Sequence, residues 1–361
     1  MKKQMLLCLV TLSALLPLSG CSNNKQFKNW NECDALTTLK NYVKDVTNKK
    51  SKNYIPVEDR IATFDMDGTF IGELYATYFE YNLLEYRVLE DPTYKDKAPD
   101  DVKETANDIR NFVRNGVKLP SYDETHGFDL KHAHAAAKAY AGMTIKEFDK
   151  YVTDYAQRTP FGFEGMTYAT SFYKPMLDVF DYLEDNNFTY YVVSGSDRYL
   201  CRALVRSLGI PSNRVIGMDV ELRARNEGES DDSVNYDISK EDELVRSENL
   251  IIKNLKTNKV TAIAKEIGKV PVLSFGNSSG DVAMHNYCLG KESNIGQQKY
   301  RSEAFMLVAD DDVRDHADLE EGARRQKKWE ENKYNIISMK NDFKTIYGEG
   351  VKKVDFPWKL Q

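Results

Sequence analysis

Asp65-Met66-Asp67-Gly68-Thr69 puts two carboxylates two residues apart, directly after the apolar run Ile61 to Phe64. Paired acids can act as a nucleophile and as a general acid or base. The run reads as a buried strand, and acids followed by Gly are a poor way to continue one. They are a good way to build a site at its carboxyl end, where open α/β sheets bind ligands. The plainer reading is an Asp-Gly turn after a strand.

Three later segments add chemistry in order. Thr189 to Val193 reads as a strand ending in Ser194-Gly195-Ser196, before a helix near Leu200 to Leu208. A hydroxyl and backbone N–H groups at such a corner can face an anion, and a Ser-rich N-cap fits equally. Lys259 stands at the start of a helix running to about Ile267, where the dipole disfavours a cation, so a nearby anion or a solvated face accounts for it. Val272 to Phe275 reads as another buried strand. It leads through Gly276-Asn277-Ser278-Ser279-Gly280-Asp281 into a helix at Val282–Leu289, with Asp281 also readable as its N-cap.

The elements that must carry these residues are mixed. A helix is expected within Asn31 to Lys50, packed on the edge of the main domain. About a hundred residues after Thr69 read as helices, near 73–89, 99–115, 131–141 and 144–158. An insert directly after the first strand is a lid architecture. Its His126, His132 and His134 read as solvated, because residues two apart diverge on a helix. Its aromatics, among them Tyr75, Tyr78, Phe79, Tyr81 and Tyr86, read mainly as core. The alternative is an aromatic cage for a quaternary ammonium group, with Glu73 or Glu80 as anionic partner. Arg214 to Arg223 with Val234 to Ile238 reads as a hairpin, and helical spacing resumes near Asp242. A last strand is expected at Ala304–Ala309 and a charged helix at about Leu319–Glu331, whose Arg324, Arg325, Lys327 and Lys328 read as a solvated face. Asp342, Phe343, Ile346 and Tyr347 are placed to pack back on the main domain.

The chain has 361 residues, 41% hydrophobic and 29% charged, enough for one large or two medium globular domains. A formal charge of −6 without a basic tract does not suit coating nucleic acid. Lys2 and Lys3 precede the apolar run Met5 to Leu16, too short for a membrane span, and Leu18-Ser19-Gly20-Cys21 follows. This resembles the lipobox of bacterial lipoproteins, which implies lipidation of Cys21 and anchoring in the bacterial envelope, on the periplasmic face. With Cys8 in the leader, Cys33, Cys201 and Cys288 remain, an odd number that argues against a disulfide framework.

Together the four segments resemble the haloacid dehalogenase superfamily, over about residues 55–310. The position of the insert is similar to that in its phosphoserine and phosphocholine phosphatases. The resemblance implies an α/β fold: a Rossmann-like, doubly wound parallel sheet with an inserted helical cap. The expected division is a leader at 1–20, a tether and helix at 21–54, a core at 55–71 plus 174–361, and a cap at 72–173. It further implies Mg²⁺-dependent hydrolysis of a small phosphorylated metabolite. Asp65 is then the nucleophile, Asp67 the acid and base, and Ser194, Gly195 and Lys259 the phosphate ligands. Asp65, Asp67, Asn277 and Asp281 are the metal ligands. Asn277 departs from the family pattern, which has Asp there. Either Asp281 supplies the missing charge or the metal is held more weakly, and Asn277→Asp is expected to tighten it. Two other readings remain: a phosphotransferase or mutase on the same fold, and an envelope lipoprotein that binds without catalysis.

Overall fold

The structure is a computed structural model that describes residues 26–73, 77–228, 233–290 and 298–355. The leader, Cys21 and Tyr75 lie outside these. The strands are β1 (Ile61–Phe64), β2 (Phe163–Glu164), β3 (Thr189–Asp197), β4 (Val215–Ala224), β5 (Leu244–Ile252), β6 (Leu273–Gly276), β7 (Glu303–Val308), β8 (Asn335–Ser338) and β9 (Lys352–Lys353). The helices are α1 (Asp34–Thr47), α2 (Phe79–Leu89), α3 (Asp100–Asn115), α4 (Phe128–Ala139), α5 (Ile145–Ala156), α6 (Lys174–Asp185), α7 (Arg198–Val205), α8 (Thr257–Glu266), α9 (Val282–Leu289), α10 (Leu319–Glu331) and α11 (Met339–Asp342).

Seven strands form one sheet in the order β5-β4-β3-β1-β6-β7-β8, parallel except for the antiparallel pair β4 and β5. This is an α/β fold built on a mostly parallel sheet with flanking helices. β1 lies at the centre, where strand order reverses, so its carboxyl end opens on the crevice of a doubly wound sheet. Every residue of β1 is buried, as expected for a strand covered on both faces. Phe64 stacks on its cross-strand partner Phe275 at 4.3 Å, and Phe275 on Phe305 at 4.9 Å. Such pairs add about 0.5–1.5 kcal/mol each beyond burial, and they favour one register for β1, β6 and β7.

α1 presents Leu36, Leu39, Tyr42, Val43 and Val46 to the core at helical spacing, and Tyr42 Oη donates to the carbonyls of Val272 and Arg301. Phe343, Ile346 and Tyr347 are buried after β8, while Asp342 is half-buried. Cys33, Cys201 and Cys288 are free thiols.

α2 to α5 lie between β1 and α6. The two ends of this insert are tied to each other: Ile71 pairs with Phe172, Gly72 N–H donates to Ser171 O at 2.9 Å, and Tyr173 N–H to Phe70 O at 2.9 Å. A second seam joins the insert to β5. Thr144 pairs with Val245, Gly142 N–H donates to Arg246 O at 2.8 Å, and Arg246 N–H to Met143 O at 2.9 Å.

The structure corrects five sequence expectations here. The strand expected to be last, at Ala304–Ala309, is β7, and β8 pairs beyond it after the chain has passed through α10. The second arm of the hairpin is β5, not Val234 to Ile238; Val234 and Ile238 are exposed, and no helix begins near Asp242. β5 is an edge strand with only Arg246 fully buried, so it lacks the alternation that marks a strand. Arg246 is held there by Asp197, at 2.6 Å, and lies over the Phe148 ring. His132 is buried rather than solvated, with Nε2 3.3 Å from Glu80 O, and burial lowers its pKa to about 3. α10 is no uniformly solvated face, because Arg325 turns inward from it.

Candidate active site

The carboxyl ends of β1, β3 and β6 open on a cavity of about 200 Å³. Asp65 is the first residue past β1, anchored by its N–H to Phe275 O at 2.9 Å. The next turn is tight: the N–H groups of Thr69, Phe70 and Ile71 all reach Met66 O. Gly68 has φ +74°, and a Cβ there would lie 2.1 Å from Asn277 Nδ2, so both conformation and space require Gly.

Lys259, from the first turn of α8, donates to Asp65 Oδ1 at 2.5 Å and to Asp281 Oδ1 at 2.7 Å. All three are buried. Burial opposes the Lys259 charge, but Asp281 and Asp65 outweigh it and raise its pKa. Asp281 is held below the ordinary carboxylate range, since Lys259 outweighs burial. Burial, and then Asp281, push Asp65 up against the pull of Lys259. The cation that the helix dipole disfavours is thus present for two carboxylates.

Asp67 Oδ2 accepts from Ser196 Oγ at 2.8 Å. Burial, with repulsion from Glu80, raises Asp67 to about 7, and the Ser196 hydrogen bond opposes this. A carboxyl poised near neutral pH can donate and take back a proton.

Asp65, Asp67, Gly195, Lys259, Asn277 and Asp281 all line the one cavity. Ser194 does not. Its side chain is fully buried and its Oγ accepts from Ser196 N–H at 3.0 Å, so it braces the turn. Strand alternation puts Ser194 and Ser196 on one face, and Ser196 is the one at the opening. Gly195 leaves room for Leu255, whose Cδ2 would lie 2.6 Å from a Cβ.

Asp281 is also poorly placed as a metal ligand. Oδ1 is taken by Lys259, and Oδ2 accepts the N–H groups of Asn277 and Ser278 and the Ser278 hydroxyl. It ties α8 to the loop after β6. Asn277 Nδ2 donates to Glu73 Oε1 at 2.7 Å. Among the described residues no three His, Cys, Asp or Glu side chains converge as a metal centre.

A divalent cation still fits. Six carboxylates (Asp65, Asp67, Glu73, Glu80, Asp129, Asp281) line the cavity against four bases (Lys253, Lys256, Lys259, Arg325). A phosphate dianion entering such a lining needs added positive charge. Asp65, Asp67 and Asn277 line the cavity together and carry hard oxygen donors, and Mg²⁺ needs only one or two carboxylates with waters.

Sequence reasoning missed Asp129, Lys253 and Lys256 as lining residues, read Arg325 as part of a solvated face, and read Tyr78 mainly as core with a cage as the alternative. Lys253 follows the strand that went unread, where it donates to Glu80 Oε1 at 3.0 Å. Asp129 accepts from Tyr81 Oη at 2.8 Å. No aromatic cage forms among the described residues: Tyr78 alone of the aromatics lines the cavity, and Phe79 and Tyr81 are core.

No family model and no curated protein matches the chain. Solved structures do. A functionally unknown protein from Anaerococcus prevotii is 15% identical, with 88% of this chain covering 96% of that one at a TM-score of 0.51. A phosphoserine phosphohydrolase-like protein from Francisella tularensis is 12% identical, over 77% and 94%, at 0.39. Cytosolic 5′-nucleotidase IIIB bound to cytidine is 11% identical, over 84% of each chain, at 0.47. At these identities the likeness is one of fold, and the first of the three carries it.

Proposed function

We propose that the protein is a Mg²⁺-dependent phosphomonoesterase acting on a small organic phosphate through an aspartyl-phosphate on Asp65. The observation that carries this is the placement of Asp65 at the sheet's switch point, with Lys259 on its carboxylate and a near-neutral Asp67 two residues on.

The Asp65 carboxylate attacks phosphorus, and the bond from phosphorus to the leaving oxygen breaks. Asp67 gives its proton to that oxygen. Asp67 then takes a proton from water, whose oxygen attacks phosphorus and releases Asp65. Lys259 and the backbone at Gly195 face the phosphoryl oxygens, while the N–H groups of Asn277 and Ser278 stay with Asp281. A cation held by Asp65, the Asp67 carbonyl and Asn277 would neutralise phosphate charge. The cavity lining of both signs suits a substrate alcohol that itself carries charge.

Cys21 as a lipid anchor in the bacterial envelope completes the reading, supported by the leader pattern Lys2, Lys3, Met5 to Leu16 and Leu18 to Cys21. Radiolabelled palmitate incorporation lost in Cys21→Ser is the expected outcome, and incorporation retained by that variant overturns it.

The activity test is phosphate release from a panel of small phosphomonoesters, with wild type and Asp65→Asn, in Mg²⁺ and in chelator. Release requiring both Asp65 and Mg²⁺ supports the reading. A folded protein that releases none, or an Asp65→Asn variant that still turns over, overturns it.

A further inference from the structure

Asn277 lines the cavity together with Asp65 and Asp67, and the structure sets a carboxylate against its amide. Asn277 Nδ2 donates to Glu73 Oε1 at 2.7 Å, while Oδ1 lies 3.5 Å from Thr69 Oγ1. Glu73 follows Thr69 by four residues and also lines the cavity. The close approach is made possible by Gly68: a Cβ there would lie 2.7 Å from the Glu73 side chain as well as against Asn277. No Lys or Arg lies within ion-pair distance of Glu73 among the described residues; the hydrogen bond the structure gives its carboxylate is the one from Asn277.

An acid that accepts from the amide N–H fixes which end of the amide is its nitrogen, and so leaves the oxygen to face another partner. It also increases the negative charge felt at that oxygen's side of the cavity. Carboxylates in this outer position commonly change metal affinity 10- to 100-fold.

We propose that Glu73 and Asn277 work as one unit in place of an acidic ligand: Asn277 Oδ1 meets the cation, and Glu73 orients the amide and supplies the charge one hydrogen bond further out. Glu73 is therefore a positioning residue. This rests on the metal-dependent phosphatase reading, and it changes what Asn277→Asp alone should do, because that variant sets two carboxylates in contact.

The test is Mg²⁺ binding by calorimetry, with Mn²⁺ and its spin resonance as a second probe, on the full chain in detergent. Wild type, Glu73→Gln and the exchange variant Glu73→Gln/Asn277→Asp are compared, with circular dichroism confirming that each is folded. Gln is isosteric and still accepts from Asn277, so the fold is retained. Glu73→Gln should weaken binding about 10- to 100-fold. The exchange variant, which moves the carboxylate to position 277 and the amide to 73, should recover most of that loss. Glu73→Gln binding like wild type, or an exchange variant as weak as Glu73→Gln, overturns the inference while leaving the phosphatase reading standing. A wild type that binds neither ion overturns the phosphatase reading and this inference with it.

Discussion

Lys259 Nζ lies 2.5 Å from Asp65 Oδ1, and with its second bond, to Asp281, one ammonium joins the acid after β1 to the N-cap of α9. Removing the ammonium leaves two buried carboxylates facing each other. Breaking a buried pair from one side costs about 3–5 kcal/mol. Lys259→Met should therefore lower the unfolding free energy by that order, seen as a lower urea midpoint, and abolish phosphate release. An unchanged midpoint would show that the three groups do not share charge as described.

Gly68→Ala tests the turn that carries Asp67. A left-handed φ of +74° and a 2.1 Å approach to Asn277 Nδ2 both oppose a methyl group. Strain of this kind costs about 1–3 kcal/mol. Thermal melts should show that loss, and metal affinity should fall with it because Asn277 and Glu73 are the groups displaced. A variant with wild-type melting and metal binding contradicts the geometry.

The cavity lining also carries Lys253 paired with Glu80, and Asp129 without a basic partner within ion-pair distance among the described residues. Asp129→Asn should change the ranking of substrates, costing cationic alcohol phosphates about tenfold in kcat/KM relative to anionic ones, or roughly 1.4 kcal/mol. Equal losses across the panel would place Asp129 outside substrate recognition.

Asp315, which does not line the cavity, gives a pH test. Burial raises it to about 7, against the hydrogen bonds from His316 N–H and Tyr347 Oη. Between about pH 4 and 7 the folded chain keeps this proton and the unfolded chain releases it. Stability from this group is thus full at low pH and lost as pH rises through that window. Asp315→Asn should gain on wild type from pH 4 to 8, by up to about 4 kcal/mol. A difference in denaturation midpoint that is independent of pH would mean that Asp315 titrates normally.

Five of the sheet's seven strands were legible because they obey local rules, while β5 and β8 were not. Ile61 to Phe64 and Leu273 to Gly276 are short, mainly apolar and fully buried runs, broken only by Thr63 and Ser274, and each is followed at once by a polar or acidic residue. The helices of the insert carry apolar residues three and four apart, and α3 and α5 lie within a residue or two of the spans expected. β5 was illegible for the opposite reason: its buried residue is Arg246, whose place is explained by Asp197, 49 positions away in sequence. The site divides in the same way. Asp65, Asp67 and Lys259 stand where their own elements begin or end, a position spacing can reveal. Arg325 stands mid-helix among similar residues, and only the packing of α10 turns it inward. Ser194 and Ser196 share a strand face, and which hydroxyl opens on the cavity depends on where β3 bends, which no spacing rule supplies.

The seam between residues 142–144 and 245–246 makes the helical insert and the β4–β5 ribbon one mechanical part. Any rocking of the helices must drag the ribbon, and with it Lys253 at the ribbon's base. Variation that retunes the enclosure for a different guest is therefore expected in the ribbon as often as in the helices, because strain applied at either is felt at both.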